Sequence, residues 1–211
     1  MPIAALVAAT SGLMLGAFAD RLAARWPDHR GGDLRRVDWR TAAVALSAGA
    51  AFAALLARWS EPRDLLVLGL FLCALMVLLA TDLDQRLLPD LITFPLMGYS
   101  AIVLLLGWDP LLSGKELGVA SGLVAGVAAP ALLLVSDRLL RGGLGMGDVK
   151  LAVSLGLMCG ISRLFAGFLL ASALSSVLLV ALILTRRIGL RSAIPFGPIL
   201  IAAGVIAMLL P

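Results

Sequence analysis

The chain has 211 residues, 61% of them hydrophobic and 14% charged, with a mean hydropathy of +1.05, which excludes a soluble globular domain and a disordered chain alike. A spanning helix takes about 20 apolar residues, so the length leaves room for seven or eight spans and no separate soluble domain. The net charge of +4 would suggest nucleic acid in a soluble protein, but here the bases sit in short loops between apolar runs, where they act as topology signals and nucleic acid is not an expected partner.

In chain order, apolar windows predict eight helices, over 3–22, 41–58, 64–81, 91–107, 116–136, 147–161, 163–184 and 193–210. The first has no basic residue before it and an arginine-rich loop after it, which reads as a retained span and not a signal peptide. The loop that follows carries the lone His29, read as solvated. The fourth, sixth and eighth windows are short or interrupted, by Pro95, Gly156 and Pro198. Pro195 and Pro198, around Phe196 and Gly197, suit a kink in the last helix. Cys73 and Cys159 fall in different windows without CxxC spacing, so neither a disulfide nor a metal site is expected.

Eight spans put both termini on one side. Of the 17 bases, 13 fall in the odd-numbered loops, and the positive-inside rule then places those loops in the cytoplasm and both termini outside it. The expected fold is all-α, a polytopic integral membrane protein.

Two stretches in the odd loops carry carboxylates against apolar runs. Thr81 to Asp90, TDLDQRLLPD, follows the third window with Asp82, Asp84 and Asp90; Arg141 to Lys150, RGGLGMGDVK, precedes the sixth with Asp148 and Lys150. A carboxylate at the edge of a membrane segment is costly and marks function. Gly142, Gly143, Gly145 and Gly147 let the backbone bend and other atoms approach Asp148. Two carboxylates held together in a poorly solvated place cannot both ionise easily. The ionised one can take a proton from water while the protonated one hydrogen-bonds a substrate carbonyl, which needs no metal. Asp82 and Asp148 suit this if the third and sixth helices bring them together. Plainer readings stand beside it: Asp148 also suits a helix N-cap, Asp82 an interfacial helix end, Asp84 and Asp90 solvated loop charges. Lys150 suits either a snorkelling lysine or a charge that favours an ionised carboxylate nearby.

The blocks DLDQRLLPDLITFPL, GMGDVK and IPFGP, in that order, together with GLMLGAFADRLAARWP near the N-terminus, resemble the type IV prepilin peptidase family, membrane aspartyl proteases of the GxGD kind. The resemblance covers nearly the whole chain. In the opening block Ala17 and Asp20 stand where the family usually has Ser and Asn. The resemblance implies that Asp82 and Asp148 are the catalytic pair, that Gly145, Gly147 and Lys150 complete the second motif, and that no cofactor is needed. It also implies cleavage after a glycine, just before a hydrophobic stretch. Bifunctional members carry two CxxC pairs in a long loop after the first helix and methylate the new N-terminus; here the loop between Pro27 and Trp39 is short and has no cysteine, which puts methylation in doubt.

The chain is thus expected to be one membrane-embedded peptidase domain over residues 1–211, with the first helix and shortened cytoplasmic loop in 1–40 and the aspartyl core in 41–211. Its expected partners are the lipid bilayer of a bacterial inner membrane and a prepilin or pseudopilin precursor, whose short basic leader Asp84 and Asp90 are candidates to hold. Two other readings stay open. A proton or cation transporter would show internal repeats, and none is evident. A noncatalytic pilus or secretion assembly factor would tolerate loss of either aspartate.

Overall fold

The computed structural model describes residues 2–27, 37–112, 114, 117–140, 144–185 and 196–210. Among them run seven helices: α1 (Pro2–Ala23), α2 (Trp39–Arg58), α3 (Pro62–Gln85), α4 (Asp90–Leu105), α5 (Gly118–Leu140), α6 (Met146–Leu184) and α7 (Gly197–Leu209). Five of them, α1, α2, α3, α5 and α6, are long and apolar enough to cross a membrane, while α4 and α7 are shorter. Their outward faces expose Leu6, Phe18, Leu70, Val127, Phe165 and Val177, as a lipid-facing surface requires. The chain is an all-α, multi-pass membrane protein. His29, Gly142, Gly143 and Pro195 lie outside the described residues.

The expected windows 147–161 and 163–184 are joined in α6, which is broken where Gly160 takes φ 65° and ψ −178°. The interruption is therefore at Gly160 and not at Gly156. The chain turns back there. Before the break Leu155 packs on Gly204 of α7; beyond it Arg163 reaches the last carbonyls of α7 and Phe168 lies against Phe196 at its start. Gly156 serves packing instead: a Cβ there would lie 2.5 Å from the backbone of Ala125 in α5, so the two helices touch main chain to main chain. Pro198 does not kink α7, because the helix begins at Gly197 and proline fits its first turn. Pro95 lies inside α4, which continues through it.

In lipid, close packing stands in for the hydrophobic drive between helices. Gly12 and Gly16 of α1 meet the main chain of α2 at Ala48 and at Val44–Ala45. One turn on, Asp20 is buried and accepts a hydrogen bond from the Thr41 hydroxyl (2.7 Å). Thr41 also closes the capping box of α2 with Asp38. α3 lies centrally, packed against α1, α2, α4 and α7. Its Phe71, Leu75 and Leu78 share one buried core with Leu151, Leu155 and Met158 of α6 and Ile201 of α7.

Candidate active site

One end of the bundle gathers the close of α3 and the starts of α4, α6 and α7. Asp82 sits in the last turn of α3, 5% exposed. The helix ends because Arg86 adopts the left-handed conformation (φ 54°, ψ 37°) and its N–H closes the turn on the Asp82 carbonyl. Asp148 sits in the first turn of α6, half-buried. The N-cap there is Gly145, whose carbonyl accepts from the Asp148 N–H (3.0 Å). Asp148 is thus not the N-cap; its carboxylate reaches back to the Gly145 backbone, and Oδ1 is left without a partner among the described residues.

The Asp148 carboxylate lies close enough to Asp82 to act on it as a like charge, although the two sit on different helices, α3 and α6, whose shared core also takes in α7. Among the described residues Oδ2 of Asp82 and Oδ1 of Asp148 are both buried without a hydrogen-bond partner, an expensive state unless the groups serve something else. Arg86 adds an opposite charge acting on Asp82.

α7 fills the space between. Gly197, its first residue, lies against the Asp82 carboxylate, and a Cβ there would be 2.5 Å from Oδ2. On the other side a Cβ on Gly147 would lie 2.6 Å from Cβ of Leu88, so this glycine seats the start of α6 on the segment before α4, and does not make room at Asp148. Gly145 is less crowded, with an added Cβ 3.4 Å from Oδ2 of Asp148.

The remaining expected residues are engaged elsewhere. Arg40 of α2 donates to Asp84 (2.8 Å), whose side chain is 5% exposed. Lys150 donates to Asp90 and lies 4.3 Å from the centroid of the Phe94 ring, so its charge is spent on Asp90 and not on Asp148. The Asp90 side chain stays 63% exposed at the edge of the site. Among the described residues no group of three or more His, Cys, Asp or Glu could hold a metal ion, and Cys73 and Cys159 are free thiols. Sequence reasoning missed Arg86, although it lies four residues after Asp82, one helical turn on. It missed the close seat of Asp82 on Gly197 too, for which the only signal was a glycine in the last block.

Chemically, the arrangement offers two carboxylates at one end of the bundle, each with a buried oxygen that lacks a hydrogen-bond partner among the described residues. That suffices to activate a water and to hydrogen-bond a polarised carbonyl.

The sequence pattern of the type IV leader peptidase family matches residues 69–210, from within α3 to the end of α7. Similar proteins include a prepilin leader peptidase/N-methyltransferase of Aeromonas salmonicida (strain A449), 37% identical over 137 residues, 64% of this chain and 46% of that one. A protein of the same name from Bacillus subtilis (strain 168) is 28% identical over 174 residues, 82% of this chain and 67% of the relative. One from Pseudomonas putida is 35% identical over 155 residues, 72% and 52% of the two chains. The chain spans about half the length of the first of these relatives. No solved structure matches it significantly.

Proposed function

The chain belongs to the type IV leader peptidase family, and on that premise we propose that it is a membrane aspartyl endopeptidase that removes the short basic leader from prepilin-like precursors. The observation that carries the reading is the placement of Asp82 and Asp148 at one end of the bundle, close enough for Asp148 to act on Asp82 as a like charge, each with a buried oxygen unpartnered among the described residues.

In this reaction the two aspartates share one proton. The ionised carboxylate takes a proton from water as its oxygen adds to the scissile carbonyl, and the protonated one donates to the carbonyl oxygen, giving a gem-diol with no covalent bond to the protein. Collapse breaks the C–N bond while a carboxyl proton passes to the departing amine. The titration belongs to the pair.

Of the two carboxylates expected to hold the leader, Asp90, exposed although Lys150 donates to it, takes that role, while Asp84 is nearly buried against Arg40. The precursor's apolar helix lies in the bilayer. An apolar groove of about 200 Å³ among α5, α6 and α7 supports its lateral approach; Ala125, Ala129, Phe165, Phe168 and Leu200 line it, with Ala152, four residues after Asp148. By the positive-inside rule the end that carries the aspartates faces the cytoplasm of a bacterial inner membrane and both termini face out. Residues 1–211 then act as one peptidase domain.

The test is cleavage of a co-reconstituted precursor by wild type, Asp82→Asn and Asp148→Asn, with mass spectrometry of the new N-terminus. Cleavage by wild type alone, with both variants folded, is the expected result, and the product mass reports whether a methyl group is added. Unimpaired cleavage by both variants would overturn the aspartyl mechanism.

A further inference from the structure

The start of α7 meets Asp82 so closely that only a glycine fits. A Cβ on Gly197 would lie 2.5 Å from Oδ2, 2.7 Å from Cγ and 3.1 Å from Oδ1 of Asp82, so the whole carboxylate rests on the glycine Cα. Backbone conformation is not the reason, because Gly197 opens a regular helix whose first turn accommodates Pro198. The reason is space. Two turns further along the same face, an added Cβ on Gly204 would meet Leu155 of α6 and lie 3.4 Å from Leu75 of α3. The two glycines mark the face with which α7 stands between α3 and α6.

The helix cannot easily retreat from a larger residue. At its start Phe196 packs on Phe168, ring centroids 6.2 Å apart. At its end Trp59 donates to the Met208 carbonyl (3.1 Å) and Arg163 to the Leu210 carbonyl (2.7 Å). A methyl group on Gly197 therefore displaces the carboxylate more readily than the helix.

We propose that α7 is the spacer that sets the interval between Asp82 and Asp148, and that Gly197 is its positioning residue, seating the Asp82 carboxylate by presenting no side chain. This rests on the peptidase reading above. Ordinary contact would need the Asp82 oxygen about 1 Å further away, and a misplacement of about 1 Å can cost about 10²-fold in rate.

The experiment compares Gly197→Ala with Gly204→Ala in the reconstituted full chain, on a precursor with a basic leader ending in glycine and followed by an apolar helix. Gly197→Ala is expected to lower kcat about 10²-fold with KM within about twofold, because orientation is lost and binding is not. Gly204→Ala, which meets flexible leucine side chains, is expected to retain kcat within about fivefold by the same reasoning. A second readout does not need activity. Thermal unfolding of Gly197→Ala is measured in the wild-type and Asp82→Ala backgrounds; truncating Asp82 removes the atoms the methyl meets, so Gly197→Ala lowers Tm in the first background and not in the second. Gly204→Ala shifts Tm equally in both. Wild-type kcat in Gly197→Ala, or equal Tm shifts in both backgrounds, overturns the proposal. If wild type cuts no precursor, the peptidase reading falls, and the Tm cycle still decides whether Asp82 is seated on Gly197.

Discussion

Arg40, in the first turn of α2, donates to Asp84, in the last turn of α3, across 2.8 Å. The pair is unequal, since the Arg40 side chain is 33% exposed and that of Asp84 5%. Removing the guanidinium takes a charged donor away from a nearly buried carboxylate. Breaking a fully buried pair costs about 3–5 kcal/mol and an exposed pair contributes about 0–1. Arg40→Ala is therefore expected to destabilise by about 1–3 kcal/mol. Unfolding of Arg40→Ala, Asp84→Ala and the double variant checks this, with a double variant less destabilised than the two singles added together. Additive losses would show that the pair contributes nothing.

In the proposed mechanism Asp82 and Asp148 work as a unit, so their substitutions should not add. Each single change to Asn is expected to lower kcat by about 10²–10⁴-fold or more, the range of positioned acid–base catalysis. Asp82→Asn, Asp148→Asn together should be no slower than the worse single variant. Single-turnover cleavage in proteoliposomes measures all three. Losses that multiply would mean that the two carboxylates work independently.

Asp90 is the exposed carboxylate at the edge of the site, and a basic leader is expected to find it. Asp90→Asn should raise KM for a basic leader about 2–5-fold, as befits one solvent-screened charge pair. KM for a leader with its bases neutralised should stay unchanged. The preference should also weaken with added salt, because the Debye length falls from about 10 Å at 0.1 M to 3 Å at 1 M. An Asp90→Asn protein with undiminished preference for basic leaders would remove this contact. Asp84→Asn should instead act on stability, through Arg40.

The helix windows were legible because lipid demands long apolar runs, and the site stretches because carboxylates stand out against such runs. The position of each glycine's contact was not. Gly156 and Gly160 look alike in sequence, yet one lies against the main chain of Ala125 and the other takes a positive φ; the difference depends on what α5 brings opposite them. Asp84 read as a loop charge because its partner, Arg40, lies 44 residues earlier. Lys150 sits two residues from Asp148 in the same motif, but on a helix residues two apart do not face each other. Its ammonium goes to Asp90, the residue that opens α4. Asp20 differs from the residue usual in the resembling family, and its role emerged only once Thr41 was seen beside it.

Gly160 carries the last prediction. With φ 65° and ψ −178° it lies in a region open to glycine alone, where another residue costs about 1–3 kcal/mol. Space is short as well: an added Cβ would lie 2.7 Å from Cδ2 of Leu112 and 2.8 Å from Oγ of Ser121. That hydroxyl accepts the Ile161 N–H (3.0 Å), the first donor after the break. Gly160→Ala therefore strains the backbone and crowds the side chain that caps the returning helix. A loss of about 2–4 kcal/mol is expected, from the strain together with a weakened hydrogen bond of about 1 kcal/mol. Ser121→Ala alone should cost about 1 kcal/mol. Denaturant unfolding in mixed micelles measures both. Helices ordinarily favour alanine over glycine by about 1 kcal/mol, so an unbroken α6 would be stabilised by Gly160→Ala, and the sign of the change decides whether the chain reverses there.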